Sequence, residues 1–352
     1  MQIGGRNYNV RVGLTAFLVI SAASAAVIFL VTNRTGVWAS LSQMRPLYLV
    51  LAGALMVGQW CLNAARFKIL VNGLGNRVSF GTSLRAFMAN VFISAVTPSQ
   101  TGGGPVQIYV LSRAGVPVAK GFAGCLMGAV LSVVCLTSST LVIMIVKPDL
   151  RAEFGHHLGS IIMTVVIVFS VLAGLFLLSV FRIGIMKRLV GRTLLLVTRV
   201  FKSEHRLAIT KRVLGGLDQY RECLSVFARK RKARVVAAFF ITFAGIATNS
   251  LIALALLAGL RVEFHAMHVY LAQFVLFFIA YFGPTPGASG IAEFTNYWML
   301  ASLNIQPGVL GLYTVIWRFF TSYAGVAVGG LATLAYLPGR KGGQADGGGS
   351  PE

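Results

Sequence analysis

The residues with the most chemistry to offer are Glu293 and Arg318, each set in a run apolar enough to lie in hydrocarbon. Glu293 closes the stretch P-T-P-G-A-S-G-I-A-E, residues 284–293, and is the only carboxylate predicted within the membrane core; Arg318 is the only base predicted deep inside a span. An ionisable group at that depth costs at least about 2.5–3.5 kcal/mol, so each needs a partner or a purpose. An acid in the first turn after Gly290 suits the positive end of a helix, which accounts for the residue type but not for its depth, so a functional role is expected. Arg318 reads either as half of a structural ion pair or as a guanidinium that takes a phosphate bidentately. Counting inward at the helical rise, Glu293 lies roughly 16 Å from the end of its arm near Asn304, and Arg318 roughly 14 Å into a span starting at Val309. The two are therefore predicted to meet near the midplane.

Two breaks in the apolar pattern must position them. Pro284 and Pro286 each remove a backbone donor and push the preceding residue out of the α region, so a helix arriving from Val269 stops near Phe282. It has then run roughly 21 Å, short of a hydrocarbon core about 30 Å thick. Non-helical backbone at that depth is tolerated only where protein or a water-filled cavity covers it, which marks Pro284, Pro286, Gly287, Ser289 and Gly290 as a candidate substrate site. The second break, T-P-S-Q-T-G-G-G-P at 97–105, follows another short apolar run from Leu84 to Val96. Gly102, Gly103 and Gly104 let backbone N–H groups converge, and Pro105 opens the next arm with its positive end towards the break, an arrangement that cradles an anion. Tight helix packing is the other use of such glycines. Gln100, Thr101 and Gln107 add hydrogen-bonding groups beside them.

The elements around these breaks follow from composition. With 352 residues, 56% of them hydrophobic and 11% charged, and a mean hydropathy of +0.78, the chain is an all-α polytopic membrane protein. Spans are expected at Val12–Val31, Leu47–Ala65, Gly121–Val146, Ile161–Val180, Val235–Leu260 and Val309–Leu337. The segment 182–234 holds 15 Lys or Arg against three acids, with apolar residues at helical spacing. It reads as amphipathic helix retained on the cytoplasmic surface, where F-A-R-K-R-K-A-R meets anionic lipid headgroups; a nucleic-acid role is not needed to explain it. Arg66, Arg85 and Arg113, at the ends of apolar runs, are expected to face the headgroup layer. The tail 338–352 is glycine-rich and reads as disordered. Neither the four cysteines nor the five histidines show a metal-ligand spacing, and no G-x-x-x-x-G-K-[ST] loop is present, so no metal, cofactor or ATP hydrolysis is expected.

Charge decides the topology. If both broken segments enter and leave on one side, and the basic segment is cytoplasmic, 25 Lys or Arg fall inside and five outside, with both termini cytoplasmic. The first half, about 12–146, then reads span, span, re-entrant hairpin, span from the inside. The second half, about 161–337, reads the same from the outside, an inverted repeat within one domain over 1–337.

Three motifs in order, R-F-K-I-L-V-N-G-L-G-N-R-V-S-F, T-P-S-Q-T-G-G-G-P-V-Q-I-Y-V-L-S-R-A-G and P-T-P-G-A-S-G-I-A-E-F, are similar to the membrane region of bacterial lysylphosphatidylglycerol synthases and to the stand-alone flippase-like family related to it. The resemblance covers about residues 12–337. Ala288 departs from it where glycine is common. In the synthases a soluble aminoacyl-transferase domain follows; here about 15 residues follow Leu337, so the resemblance implies the lipid-translocating half alone. The expected function is translocation of a phospho- or glycolipid between leaflets of a bacterial inner membrane by a non-enzymatic protein. A lipid-modifying transferase and an accessory subunit are the alternatives, and a second copy or a separate lipid-synthesising enzyme are the expected protein partners. Labelling of single cysteines from outside intact cells should reach sites beside His157 and His265 and miss Cys223 and the tail; labelling of Cys223 from outside would overturn this topology.

Overall fold

The computed structural model describes residues 44–154 and 231–336 continuously, together with 10–32, a short antiparallel pairing of Gln2–Ile3 with Arg6–Asn7, and helical residues between 163 and 174. Most of the basic segment, the tail 338–352 and much of the span expected at 161–180 lie outside the described residues. Apart from the terminal pairing, regular structure among the described residues is helical: α1 (Val10–Thr32), α2 (Pro46–Gly73), α3 (Phe80–Val96), α4 (Gly103–Arg113), α5 (Val118–Val146), α6 (Pro148–Glu153), α7 (Lys232–Gly259), α8 (Ala266–Tyr281), α9 (Ile291–Ser302), α10 (Pro307–Arg318) and α11 (Ala324–Tyr336).

Local chemistry sets the ends. Pro46 and Pro307 open α2 and α10, where a missing N–H costs nothing. Ser79 caps α3 by accepting the Thr82 N–H at 3.1 Å. Among the described residues, four stretches are long and apolar enough to cross a membrane, namely α2, α5, α7 and the combined run Gly308–Thr333. Their outward side chains, among them Leu47, Val50, Val142, Phe240 and Leu331, are exposed, as lipid-facing residues must be. The last span departs from the uninterrupted helix predicted over 309–337. A π turn, Phe319–Tyr323, separates α10 from α11 immediately after Arg318, a widening that recurs at functional sites.

Buried apolar side chains form two larger groups. One joins α1 to α4 through Phe17, Phe67, Phe92, Val96 and Val106; the other surrounds Phe274, Phe278, Tyr313 and Trp317. At one end of the bundle His268 on α8 reaches Asp149 and Glu153 on α6, each at 3.1 Å. The exposed Asp149 carboxyl lies below its ordinary range: desolvation is the largest single influence and works the other way, but the Leu150 and Asp149 N–H groups, Lys147 and His268 together outweigh it.

Helices α3, α4, α8 and α9 have 17, 11, 16 and 12 residues. At about 1.5 Å per residue none reaches across a core of about 30 Å. They form two helix-break-helix units, and the breaks share a backbone path over their first four residues. Thr97 and Thr285 are extended, Pro98 and Pro286 follow, and then come two left-handed residues, Ser99 (φ 49) and Gln100 (φ 57) in one, Gly287 (φ 57) and Ala288 (φ 54) in the other. Left-handed non-glycine residues cost about 1–2 kcal/mol each, so surrounding contacts must hold them. One such contact joins the breaks directly, the Ser99 N–H donating to the Pro284 carbonyl at 3.2 Å.

The glycine run is closely packed, the second of the two uses its sequence allows. A Cβ on Gly103 would collide with Ser94 Oγ and Asn90, one on Gly102 would come within 2.7 Å of Ile93 and Thr97, and only Gly104 faces open space. The Gly102 N–H is spent on Thr97 Oγ1 at 3.1 Å, and the arm begins at Gly103 rather than Pro105. These glycines bring α4 onto α3. At the other break a Cβ on Gly287 would sit 2.7 Å from the Phe17 ring, at a backbone angle few side chains adopt. Gly287→Ala and Gly103→Val should therefore lower the thermal midpoint and the yield of folded protein in detergent, by roughly 1–3 kcal/mol from overpacking alone, while Gly104→Ala leaves both near wild type. A normal midpoint for Gly103→Val would return that glycine to the anion-binding role.

Candidate functional site: a polar cavity at the meeting of the two breaks

Glu293 and Arg318 form the centre of the site. Glu293 is 0% and Arg318 4% exposed. Arg318 Nε donates to Glu293 Oε1 at 2.7 Å, and Ser21 of α1 donates to the same oxygen at 2.9 Å. Glu293 Oε2 accepts the Gly290 N–H at 2.7 Å, which the positive φ of Gly290 (83°) aims back towards it. The carboxylate is thus both the cap of α9 and half of an ion pair. The guanidinium is equally committed: Nη1 donates to Ser322 in the π turn at 2.8 Å and Nη2 to the Gly287 carbonyl at 2.9 Å. Every nitrogen of Arg318 has an acceptor, and the pair joins α1, the second break, α9 and α10 with no net charge.

Beside this pair lies a cavity of about 340 Å³. Its wall combines Gln100 of the first break, Gly287 and Ala288 of the second, Arg318 with Thr321 and Ser322, Asn90 and Ser94 of α3, and Gln59, Asn63 and Arg66 of α2. Arg66 is the largest departure from the sequence expectation. It lies within α2, more than a turn before Gly73, and points into the bundle rather than outward from the helix end. Its Nη1 donates to Ser132 Oγ of α5 at 2.8 Å and approaches Thr242 Oγ1 of α7 at 3.4 Å. Its Nε is buried without a partner. Arg318 is therefore not the only base inside the spans.

The remaining expected residues divide by place. Gly287 and Gln100 reach the cavity. Ser289 is buried 3.1 Å from Ser21 Oγ, behind the ion pair. Pro284 contributes its carbonyl to the joint between breaks, and Pro286 starts the single turn Pro286–Ala288. Gln107 is buried away from the cavity, its Oε1 accepting from Asn90 at 3.3 Å, and Thr101 turns out to bond Pro98. Arg85 and Arg113 are exposed. Ser21, Ser132 and Thr242 were legible only as isolated hydroxyls in apolar runs, a type that usually bonds its own helix.

The arrangement has known relatives. The family model for the lysylphosphatidylglycerol synthase TM region matches residues 14–329. The chain belongs to this family. A UPF0104 membrane protein from Archaeoglobus fulgidus is 26% identical over 315 residues, covering 90% of this chain and 94% of that protein. The UPF0104 membrane protein MJ1595 from Methanocaldococcus jannaschii is 22% identical over 296 residues, covering 82% and 84%. The matched region of this lysylphosphatidylglycerol synthase TM family member contains both breaks, the ion pair and Arg66.

Removing one member of a buried pair strands the other, at a cost of about 3–5 kcal/mol. Glu293→Ala and Arg318→Ala should each lose most folded protein in a detergent thermal-melt assay. The exchange Glu293→Arg with Arg318→Glu should not recover it, because an arginine at 293 cannot accept the Gly290 N–H and a glutamate at 318 cannot donate to the Gly287 carbonyl. Full recovery by the exchange would show that only the bare charge pair matters.

Proposed function

We propose that this protein moves an amphiphilic lipid between leaflets of the plasma membrane, residues 1–337 acting as one translocation unit with both termini in the cytoplasm. The observation that carries the reading is a partly open cavity of about 340 Å³ between spanning helices where the two breaks meet, its largely apolar wall set with polar and charged side chains. A lipid crossing a bilayer needs a charge-matched route for its headgroup, while its acyl chains stay in lipid. The cavity falls at the lower end of the roughly 300–1,000 Å³ of small-molecule pockets, room for a headgroup and not for chains. Among the described residues its wall offers two guanidiniums, amides and hydroxyls, and no carboxylate, cysteine or histidine. That set binds an anion; phosphoryl chemistry uses carboxylates and metal ions.

The matched paths of the two breaks support re-entrant hairpins related as an inverted repeat, with access alternating between the two faces. In that scheme the π turn after Arg318 gives α11 a place to move relative to α10, and the ion pair keeps the second hairpin attached to α10 throughout. The membership of the lysylphosphatidylglycerol synthase TM family agrees with a lipid-related role.

The test is reconstitution of the purified chain in vesicles of phosphatidylglycerol and phosphatidylethanolamine carrying a tail-labelled fluorescent phospholipid. A membrane-impermeant reductant should bleach the inner-leaflet probe as well as the outer in protein-containing vesicles, and only the outer in protein-free ones. Bleaching confined to the outer leaflet with correctly inserted protein would sink the transport reading in favour of an accessory or transferase role.

A further inference from the structure

The cavity holds two guanidiniums in unequal states, and this inequality points to where a substrate anion sits. Arg318 is neutralised by Glu293 at 2.7 Å and has an acceptor for each nitrogen. Arg66 has neither. No described carboxylate lies within 4.0 Å of it, its bonds go through Nη1 alone to two neutral hydroxyls, and its buried Nε has no partner. The hydroxyls are themselves fixed as acceptors, because Ser132 donates to the Gly128 carbonyl at 3.1 Å and Thr242 to the Ala238 carbonyl at 2.7 Å. Two helices thus hold the guanidinium by one corner and leave the rest of its fork uncompensated. An unpaired cation within a span is unfavourable by at least about 2.5–3.5 kcal/mol unless something completes it.

The surroundings say what completes it. Around Arg66 the wall carries amides rather than acids, Gln59 and Asn63 on its own helix and Asn249 on α7, groups that serve the esterified or hydroxylated part of a headgroup without competing for the cation. A guanidinium with a free edge matches two oxygens of one phosphate. We infer that Arg66, not Arg318, anchors the substrate, and that the group it takes is the phosphate diester of a glycerophospholipid headgroup. Arg318 and Glu293 then position the second break against the cavity and do not exchange partners with the ligand. The phosphate chemistry follows from Arg66 itself; its assignment to a lipid rests on the transport reading above.

Three probes on the purified full-length protein in neutral detergent separate the possibilities: dihexanoyl phosphatidylglycerol below its micelle concentration, inorganic phosphate, and dihexanoylglycerol, which lacks the phosphate. Binding is followed by thermal shift and by the fluorescence of Trp317, which borders the cavity. Wild type should bind the phosphatidylglycerol and ignore dihexanoylglycerol. Arg66→Gln has no carboxylate to strand, so it should melt no lower than wild type and bind the phosphatidylglycerol at least about tenfold more weakly, the loss of one or more charge-assisted hydrogen bonds. Arg66→Lys should retain part of the affinity. Wild-type affinity in Arg66→Gln overturns the inference, as does equal binding of dihexanoylglycerol. Inorganic phosphate binding as tightly as the lipid would overturn the headgroup assignment in favour of a soluble anion. If Arg66→Gln does not fold, Arg66→Lys decides, since unchanged affinity with the fork removed is incompatible with bidentate anchoring. Loss of binding in Arg66→Gln alongside a wild type that fails to translocate would sink transport and leave the anchor standing. Translocation and binding undiminished in Arg66→Gln would do the reverse.

Discussion

Hydrocarbon offers no partner to a charge or to an open backbone, so whatever is polar inside a bundle of spanning helices must be satisfied by the protein itself. The Glu293–Arg318 contact is where that requirement is met most completely. The carboxylate closes the N–H of Gly290, the guanidinium closes the carbonyl of Gly287, and each charge closes the other. A break in a helix is thereby made tolerable by two side chains, one from the arm that follows it and one from a neighbouring span. Ser21 brings α1 into the same knot, which explains why a helix from the chain's beginning packs on a hairpin some 270 residues later. The contact is a fastening: with its donors and acceptors used, it holds the second break still.

The two breaks share a backbone path but not a method of support. The first is held by close packing, with Gly102 and Gly103 letting α4 settle onto Ile93, Ser94 and Asn90. The second is held by charge. They touch through Ser99 and Pro284, and Gln100, Gly287 and Ala288 line the same cavity as Arg66. A site built from a rigid, neutral pair and a separate uncompensated cation has a functional advantage over one built from a single pair. Under the proposed function, a ligand binds without first breaking the contact on which the fold depends, and the energy of binding is available for moving one hairpin relative to the other.

Much of this was legible in one dimension because its causes are local. A proline stops a helix wherever it occurs, so both breaks could be located within a residue or two, and runs of apolar residues longer than the bilayer is thick mark spans without reference to their neighbours. Even the Glu293–Arg318 pair followed from counting depth, since two isolated opposite charges at the same level of hydrocarbon have few alternatives. What the residues by themselves determined is therefore the class of the protein, its breaks, and the meeting of Glu293 with Arg318. Rotation about each helix axis was not determined, and it decided the rest. Arg66 sits near the end of an apolar run and reads as a headgroup contact; only the packing of α5 and α7 against α2 turns it inward to Ser132 and Thr242. Gly103 reads equally well as cradle or packing surface until α3 is laid against it. The cavity has the same origin, because its wall is contributed by residues from Phe17 to Val326, and a space lined by nine helices and two breaks exists only once all of them are assembled.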